Sequence, residues 1–255
     1  MIVIKYGGHA LPKAGSTDPV LTAIAKRHMA GEKIVVVHGG GPQINAALAE
    51  KGIGKEMVGG YRKTTPEVFE IVQRVLSGSV LPSIVNQLLA EGVNAVGLSS
   101  SGGGLIRAGV MNDEIGLVGE VKEVNPKILH TLIKDGFLPV ISPIGASAQG
   151  VGLNLNADLV AGAIGGALLA DHVLYMTDVS GIFLNWPDES SLIESITVAE
   201  LESLLPTFSD GMIPKVTSAL AAIAAGAKMV RIFDGRAVAN LESALSGKGG
   251  TVVLP

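Results

Sequence analysis

The chain contains no cysteine. This excludes disulfides, thiolate metal ligands and thiol nucleophiles, and it agrees with a reducing compartment. Aromatic residues are only 4% of the 255 positions, so the core must be built from Ala, Val, Leu and Ile. No uninterrupted apolar run reaches the roughly 18 residues of a membrane span. No basic block stands out, and the net charge is −4. Nucleic-acid binding asks for a clustered positive surface, so neither a membrane nor a nucleic-acid partner is expected. The start, "MIVIKYGG", lacks the form of a secretory signal: its charge follows a short apolar run, with no small-residue cleavage site behind it. A cytoplasmic protein is predicted.

What the chain has in quantity is glycine, 34 residues. Strand-like runs alternate with alanine- and leucine-rich segments. The strands are "IVIKY" from Ile2, "KIVVVH" from Lys33, "NAVGLS" from Asn94, "FLPVIS" from Phe137, "HVLYMT" from His172, "KMVRIF" from Lys228 and "TVVLP" from Thr251. Continuous β-branched runs of this kind suit parallel strands covered on both faces. Helices are predicted over 42–51, 66–77, 80–91, 126–135, 157–170, 198–205, 212–225 and 238–245. The order predicts an α/β fold, a three-layer αβα sandwich around a mostly parallel sheet with right-handed crossovers. Two regions break the rhythm. Residues 51–65 suit a hairpin or lid, and 99–124 suit antiparallel strands beside the main sheet. A soft boundary near Ala170 divides the chain into two lobes, 1–170 and 171–255.

Six stretches carry candidate chemistry, each with a plainer reading beside it. In "IVIKYGGH", Lys5 ends a strand and precedes Gly7 and Gly8. Ligands of parallel sheets bind beyond the carboxyl ends of strands, so Lys5 reads as an anion contact or as a surface lysine before a turn. In "IVVVHGGGPQIN", Gly39, Gly40 and Gly41 lead to Pro42 in a first helical turn. That is an anion cradle of backbone N–H groups or a tight strand–helix turn. It is neither a Walker A loop nor G-x-G-x-x-G. In "NLNADLVAG", Asn156 suits a helix cap and Asp158 a first turn, while Asn154 has less local reason to be polar. "YMTDVSGIF" runs from a strand into Asp178 and a turn at Ser180-Gly181. "SDGMIPKVTSAL" places Lys215 at the start of a helix, where a lysine is ordinarily solvated. Arg62, in "GGYRKTTPE", is either an exposed hairpin residue or a planar fork for a carboxylate. Taken together, two lysines, two glycine cradles, one aspartate and an arginine suit phosphoryl transfer, which rests on positioning and charge neutralisation.

In kind and order these motifs resemble the amino acid kinase family. The resemblance runs over the whole chain: K-x-G-G, H-G-G-G, G-x-R after the hairpin, N-x-N-A-D, T-D-V-x-G, D-G-M-x-x-K and the closing "GGTVV". It implies the amino acid kinase fold, with a first lobe that binds an acylated amino acid and forms the dimer, and a second that binds nucleotide. It is nearest to members that phosphorylate the γ-carboxylate of N-acetyl-L-glutamate with ATP, in the ornithine/arginine route. On that footing Lys5 and Lys215 bracket the phosphoryl group, Gly8 and Gly40 donate N–H groups to it, and Asp158 holds both lysines. Gly40, Gly41, Arg62 and Asn154 bind the acylated glutamate. The ATP pocket is lined by Asp178, Val179, Ser180, Gly181, Ile182 and Phe183, together with Thr207, Phe208, Ser209, Asp210 and Gly211. Mg²⁺ arrives with ATP, and no protein metal ligand is implied. His38 and His9 are structural.

The chain departs from the family pattern at Tyr6, at "YRKTTPE" and at "NWPDESSLI". This last stretch, with "FDGR" and "ALSGKGGTVV", also resembles kinases that act on aminoadipate or glutamate attached to a carrier protein. A carbamate- or uridylate-type kinase and a non-catalytic regulator are further alternatives. Arginine-inhibited members carry an additional N-terminal helix. With the first strand at Ile2, the resemblance implies a homodimer without that feedback.

Overall fold

The computed structural model describes residues 1–7, 18–208 and 212–255. Gly8, His9, Ser209, Asp210 and Gly211 lie outside the described residues.

Strand β1 (Ile2–Tyr6) is followed by α1 (Pro19–Met29), which the sequence reading did not single out. Its start is nonetheless well marked. Pro19 occupies the first turn, and the Asp18 carboxylate accepts from the N–H of Val20 at 2.8 Å. The buried Tyr6 hydroxyl donates to the same carboxylate, so the departure at position 6 ties β1 to the cap of α1. Next come β2 (Ile34–His38), α2 (Gly41–Glu50) and a hairpin of β3 (Met57–Val58) and β4 (Tyr61–Arg62). Gly59 and Gly60 turn that hairpin with φ of 54° and 82°, the sign a tight two-residue connection requires.

Helices α3 (Pro66–Val75) and α4 (Leu81–Ala90) were expected as separate elements. Instead a π-helical turn, Leu76–Val80, joins them into one 25-residue helix, Pro66–Ala90. "SGS" reads as a break, but the turn keeps both apolar faces on the same core. By length and composition this helix could cross a membrane, yet Val68, Ile71, Val72, Val75, Leu76 and Val80 on it pack inside the fold.

The chain continues through β5 (Ala95–Ser99), β6 (Ile106–Val110), β7 (Val118–Val124), α5 (Lys127–Lys134), β8 (Leu138–Ser142), β9 (Ile144–Ser147), β10 (Gly152–Leu155), α6 (Ala157–Ala167) and β11 (His172–Thr177). It closes with β12 (Ser195–Thr197), α7 (Val198–Leu204), α8 (Ile213–Ala224), β13 (Val230–Asp234), α9 (Val238–Leu245) and β14 (Thr251–Leu254). Among the described residues, eight strands form one sheet in the order β12-β14-β13-β11-β1-β2-β8-β5. Its pairs are parallel except β13 with β14. The sheet runs unbroken across position 170, because β1 pairs with β11. The antiparallel pair β6–β7 is there as expected, and β9 and β10, which sequence did not reveal, close it into a small barrel.

The sheet divides two cores by strict alternation. Ile4, Tyr6, Leu174 and Met176 face one side, while Val3, Val173 and Tyr175 face the other, with α6 and α8. Lys5 shares the face of Val3, and this decides what it meets. Helix α6 lies close against β11 and α8 because it presents glycine there. A β-carbon on Gly165 would lie 2.3 Å from Val173 Cγ2, and one on Gly166 would lie 2.3 Å from Ala225 Cβ.

Candidate active site

Three charged side chains from three elements meet at the carboxyl end of the sheet. Lys5 projects from β1. Asp158 lies in the first turn of α6, where the Asn156 side chain caps the N–H groups of Asp158 and Leu159 at 2.8 and 3.2 Å. Lys215 lies in the first turn of α8. Lys5 Nζ stands 3.1 Å from Asp158 Oδ1, and Lys215 Nζ stands 3.3 Å from Oδ2. Lys5 also donates to the carbonyl of Met176 at 3.4 Å. Burial alone would push the Asp158 carboxyl upward, but the two ammonium groups outweigh it and hold it below the ordinary carboxylate range. The carboxylate is therefore ionised, and the trio carries one net positive charge. Two helix N-termini point at the same place and add to its attraction for anions.

The glycines complete the wall. Gly39 donates its N–H to the carbonyl of Tyr6 at 2.8 Å, so the loops after β1 and β2 lie against each other. A β-carbon on Gly7 would lie 2.9 Å from Gly39 N. Gly40 is the N-cap of α2 and has no side chain to cap it. Backbone N–H groups of that first turn are left for a ligand. A β-carbon on Gly40 would lie 2.5 Å from Leu76 Cδ2, on the π-helical turn. The pressure there comes from a neighbouring helix rather than from the open site.

The trio lies between two cavities. One, about 260 Å³, is lined by Lys5, Gly40, Gly41, Arg62, Asn154 and Asp158, with Met57, Tyr61, Leu76 and Val118 among its other walls. Every residue predicted to bind the amino acid substrate is on it. The Arg62 guanidinium donates from Nη2 to Asn45 Oδ1 at 2.6 Å, while Nη1 is buried without a protein partner among the described residues. The other cavity, about 490 Å³, is lined by Lys215, Asp178, Val179, Phe183, Thr207 and Phe208, and by Thr177, Leu184, Asn185, Trp186 and Met212. Phe183 and Trp186 meet edge to face there, ring centroids 5.1 Å apart.

A model of the amino acid kinase family matches residues 1–234. The chain belongs to the amino acid kinase family. An acetylglutamate kinase of Arthrobacter sp. (strain FB24) is 42% identical over 269 aligned positions, covering 100% of this chain and 87% of that protein. The acetylglutamate kinase of Corynebacterium urealyticum is 41% identical, with 98% and 84% covered. Among solved structures, smu.665 from Streptococcus mutans UA159 superposes with a TM-score of 0.84 at 31% identity, covering 99% of this chain and 98% of that one. A carbamate kinase from Giardia, at 0.71 and 22%, covering 99% and 98%, shares the fold.

Not every residue inferred from the amino acid kinase pattern reaches the second cavity. Ile182 is fully buried in the core, and its N–H donates to Thr251 Oγ1 at 2.8 Å. A β-carbon on Gly181 would lie 2.5 Å from that same oxygen. Ser180 opens instead on a separate cavity of about 170 Å³ beside Asp234 and Asn240. The turn is thus fixed by its centre and offers its ends. Conversely, Leu184, Asn185 and Trp186 line that cavity, the last two at the start of "NWPDESSLI", where the chain departs from the family pattern. The one tryptophan of a chain poor in aromatics was the signal available.

His38 takes no part in either cavity wall. It is fully buried, Nδ1 donates to the carbonyl of Gly39 at 2.8 Å, and burial pushes its pKa down to about 4. The unfolded chain therefore binds this proton first, near the ordinary value of about 6.5. Stability is full above that value and falls as the pH drops towards 4, by about 3 kcal/mol from this group. His172, also shifted down by burial, adds in the same direction. Denaturant unfolding at pH 7 and pH 5 is expected to show a smaller loss in His38→Asn than in the wild type. An equal loss in both would remove His38 as a source.

Proposed function

We propose that the chain transfers the γ-phosphoryl group of ATP to the side-chain carboxylate of N-acetyl-L-glutamate, giving the acyl phosphate and ADP. The observation that carries this reading is the Lys5–Asp158–Lys215 trio at the junction of two unlike cavities. One is small and carries a guanidinium and an amide. The other is larger and rich in aromatic and aliphatic walls, which suits a nucleotide base. The full-length similarity to acetylglutamate kinases selects the acceptor.

In this mechanism a carboxylate oxygen attacks the γ-phosphorus, and the bond to the β–γ bridging oxygen breaks. The acceptor is already ionised at neutral pH, so no general base has to remove a proton, in keeping with a neutral, buried His38. Lys5 and Lys215 neutralise charge that spreads over the transferring group. Asp158 keeps both ammonium groups pointed at it. Gly40 contributes backbone N–H, with Gly8 in the same role. Arg62 takes a carboxylate of the amino acid, beside Gly41 and Asn154. Asp178, Val179, Phe183, Thr207 and Phe208 enclose ATP. Magnesium enters with ATP, held mainly by phosphates and water. Asp158, with a lysine on each oxygen, is not free to serve as its ligand. The reading includes a first lobe for the amino acid and a second for nucleotide, in a cytoplasmic homodimer.

A carrier-linked acceptor would call for a basic docking surface. Arg107 and Lys122, on the barrel, are paired with Glu123 and Glu120.

The test is ADP release with ATP and N-acetyl-L-glutamate, beside free glutamate, aminoadipate, and bicarbonate with ammonia. Turnover with N-acetyl-L-glutamate is expected. Turnover only with a carrier-linked substrate would replace this reading. Arg62→Ala is expected to raise KM for the amino acid roughly 10- to 100-fold, the usual weight of a charge-assisted hydrogen bond, with KM for ATP little changed. The opposite pattern would exchange the two cavities.

A further inference from the structure

We propose that Thr64 is a positioning residue for the amino acid half of the site, and that it fixes which end of the Asn154 amide the ligand meets. The inference rests on the substrate reading above. Thr64 follows β4 and is fully buried. Its hydroxyl donates to the carbonyl of Arg62 at 2.7 Å, and the Asn154 side chain meets the same oxygen at 3.1 Å. A hydroxyl has one hydrogen. With it committed to a carbonyl, which only accepts, Thr64 Oγ1 can take part in a second bond only as acceptor. Asn154 must then turn its amide nitrogen to Thr64, so the orientation follows from the hydrogen-bond network. Its Oδ1 has no protein partner among the described residues, and Asn154 lines the first cavity. The ligand thus meets an acceptor aimed at it, which suits the N–H of an acylated amino group.

The same hydroxyl acts on the other polar side chain. By holding the Arg62 carbonyl it fixes the backbone from which the guanidinium projects, while Asn45 holds Nη2 from α2. The chain Asn45–Arg62–Thr64–Asn154 joins the helix behind the glycine loop, the hairpin and the barrel. Nη1 of Arg62 and Oδ1 of Asn154 are left for a ligand: one donor for a carboxylate and one acceptor for an amide N–H. The Thr64 backbone needs no help from its side chain. Its N–H donates to Ile115 at 2.9 Å, and its carbonyl accepts from Leu117 at 2.7 Å.

The experiment is steady-state kinetics and thermal unfolding of Thr64→Val, Thr64→Ala and Thr64→Ser. Valine keeps the branched shape and loses the hydroxyl, alanine loses it without adding a methyl, and serine keeps it. Valine and alanine are expected to raise KM for N-acetyl-L-glutamate about tenfold, as loss of a buried hydrogen bond predicts, with kcat and KM for ATP within about twofold of wild type. Serine is expected to restore KM to within about threefold of wild type. An unchanged KM in valine and alanine overturns the inference. So does a uniform fall in kcat and in both affinities that tracks a lowered melting temperature, the signature of a structural role alone. Wild-type turnover is measured first. Failure there overturns the substrate reading, whereas normal turnover with an unchanged KM in the variants overturns only the role of Thr64.

Discussion

Lys5→Met is expected to lower kcat by about 10²–10³-fold, the usual cost of removing one preorganised partner of transition-state charge, while KM for the amino acid changes little. Lys5 is 8% exposed, stands at the end of a central strand and lies against a buried carboxylate. Its ammonium is therefore desolvated and fixed before any substrate arrives, the condition under which a charge is worth most. The substitution also takes the trio from one net positive charge to a neutral Asp158–Lys215 pair and leaves Asp158 Oδ1 without its ionic partner in a buried setting, which costs stability. The two effects are separable. The unfolding midpoint reads the loss of stability and kcat the loss of rate, and an unchanged kcat in Lys5→Met, or a change confined to KM for ATP, would remove Lys5 from the transition state. Lys215→Ala is expected to match Lys5→Met in kcat, since it holds the other oxygen of the same carboxylate at 3.3 Å.

Gly40→Ala is expected to lower kcat on the order of 10²-fold, the scale of an ångström-sized misplacement at a reacting centre. It is also expected to cost about 1–3 kcal/mol of stability through overpacking. The sequence alone would attribute this to a side chain intruding on the phosphoryl group. The geometry gives a different cause. The new methyl would press on Leu76 Cδ2, and the loop that carries the N–H groups would have to retreat. Leu76→Val removes the opposing methyl. The double variant Gly40→Ala/Leu76→Val is then expected to be several-fold more active than Gly40→Ala, a coupling typical of residues in contact. If Leu76→Val gives no relief, the glycine is required on its open side instead.

Much of the architecture was legible because parallel strands covered on both faces leave an unmistakable signature. All seven apolar runs from Ile2 to Thr251 became strands of the main sheet. What escaped was short or polar. Strands β9 and β10 have four residues each and flank a short turn at Gly150, so no run is long enough to show a period. Helix α1 announces itself only through Asp18-Pro19. The join at Leu76–Val80 was hidden because Ser and Gly signal a break locally, whereas burial of Leu76 and Val80 holds the helix together.

For the site, the residues with unusual chemistry for their position were visible: Lys5 at a strand end, the glycine triplet, Asp158 and Arg62. Their helpers were not. Asn45 and Thr64 look like ordinary helix and turn polar residues, and only the fold brings one to the guanidinium and the other to the amide. Leu184 to Trp186 likewise acquire a place only when the loop returns over the second cavity.

By itself the sequence determined the parallel α/β sheet, the kit of charges and glycines, and the family to which that kit belongs. These follow from local rules, strand period, capping and backbone freedom, which act within a few residues. The tertiary structure alone decided that Asp158 is shared by two lysines, that Gly40 answers to Leu76, and that one hydroxyl serves both Arg62 and Asn154. Each of these joins residues far apart in the chain, and their spacing is set by which face of a sheet a strand residue takes and how closely a glycine-bearing helix can approach it.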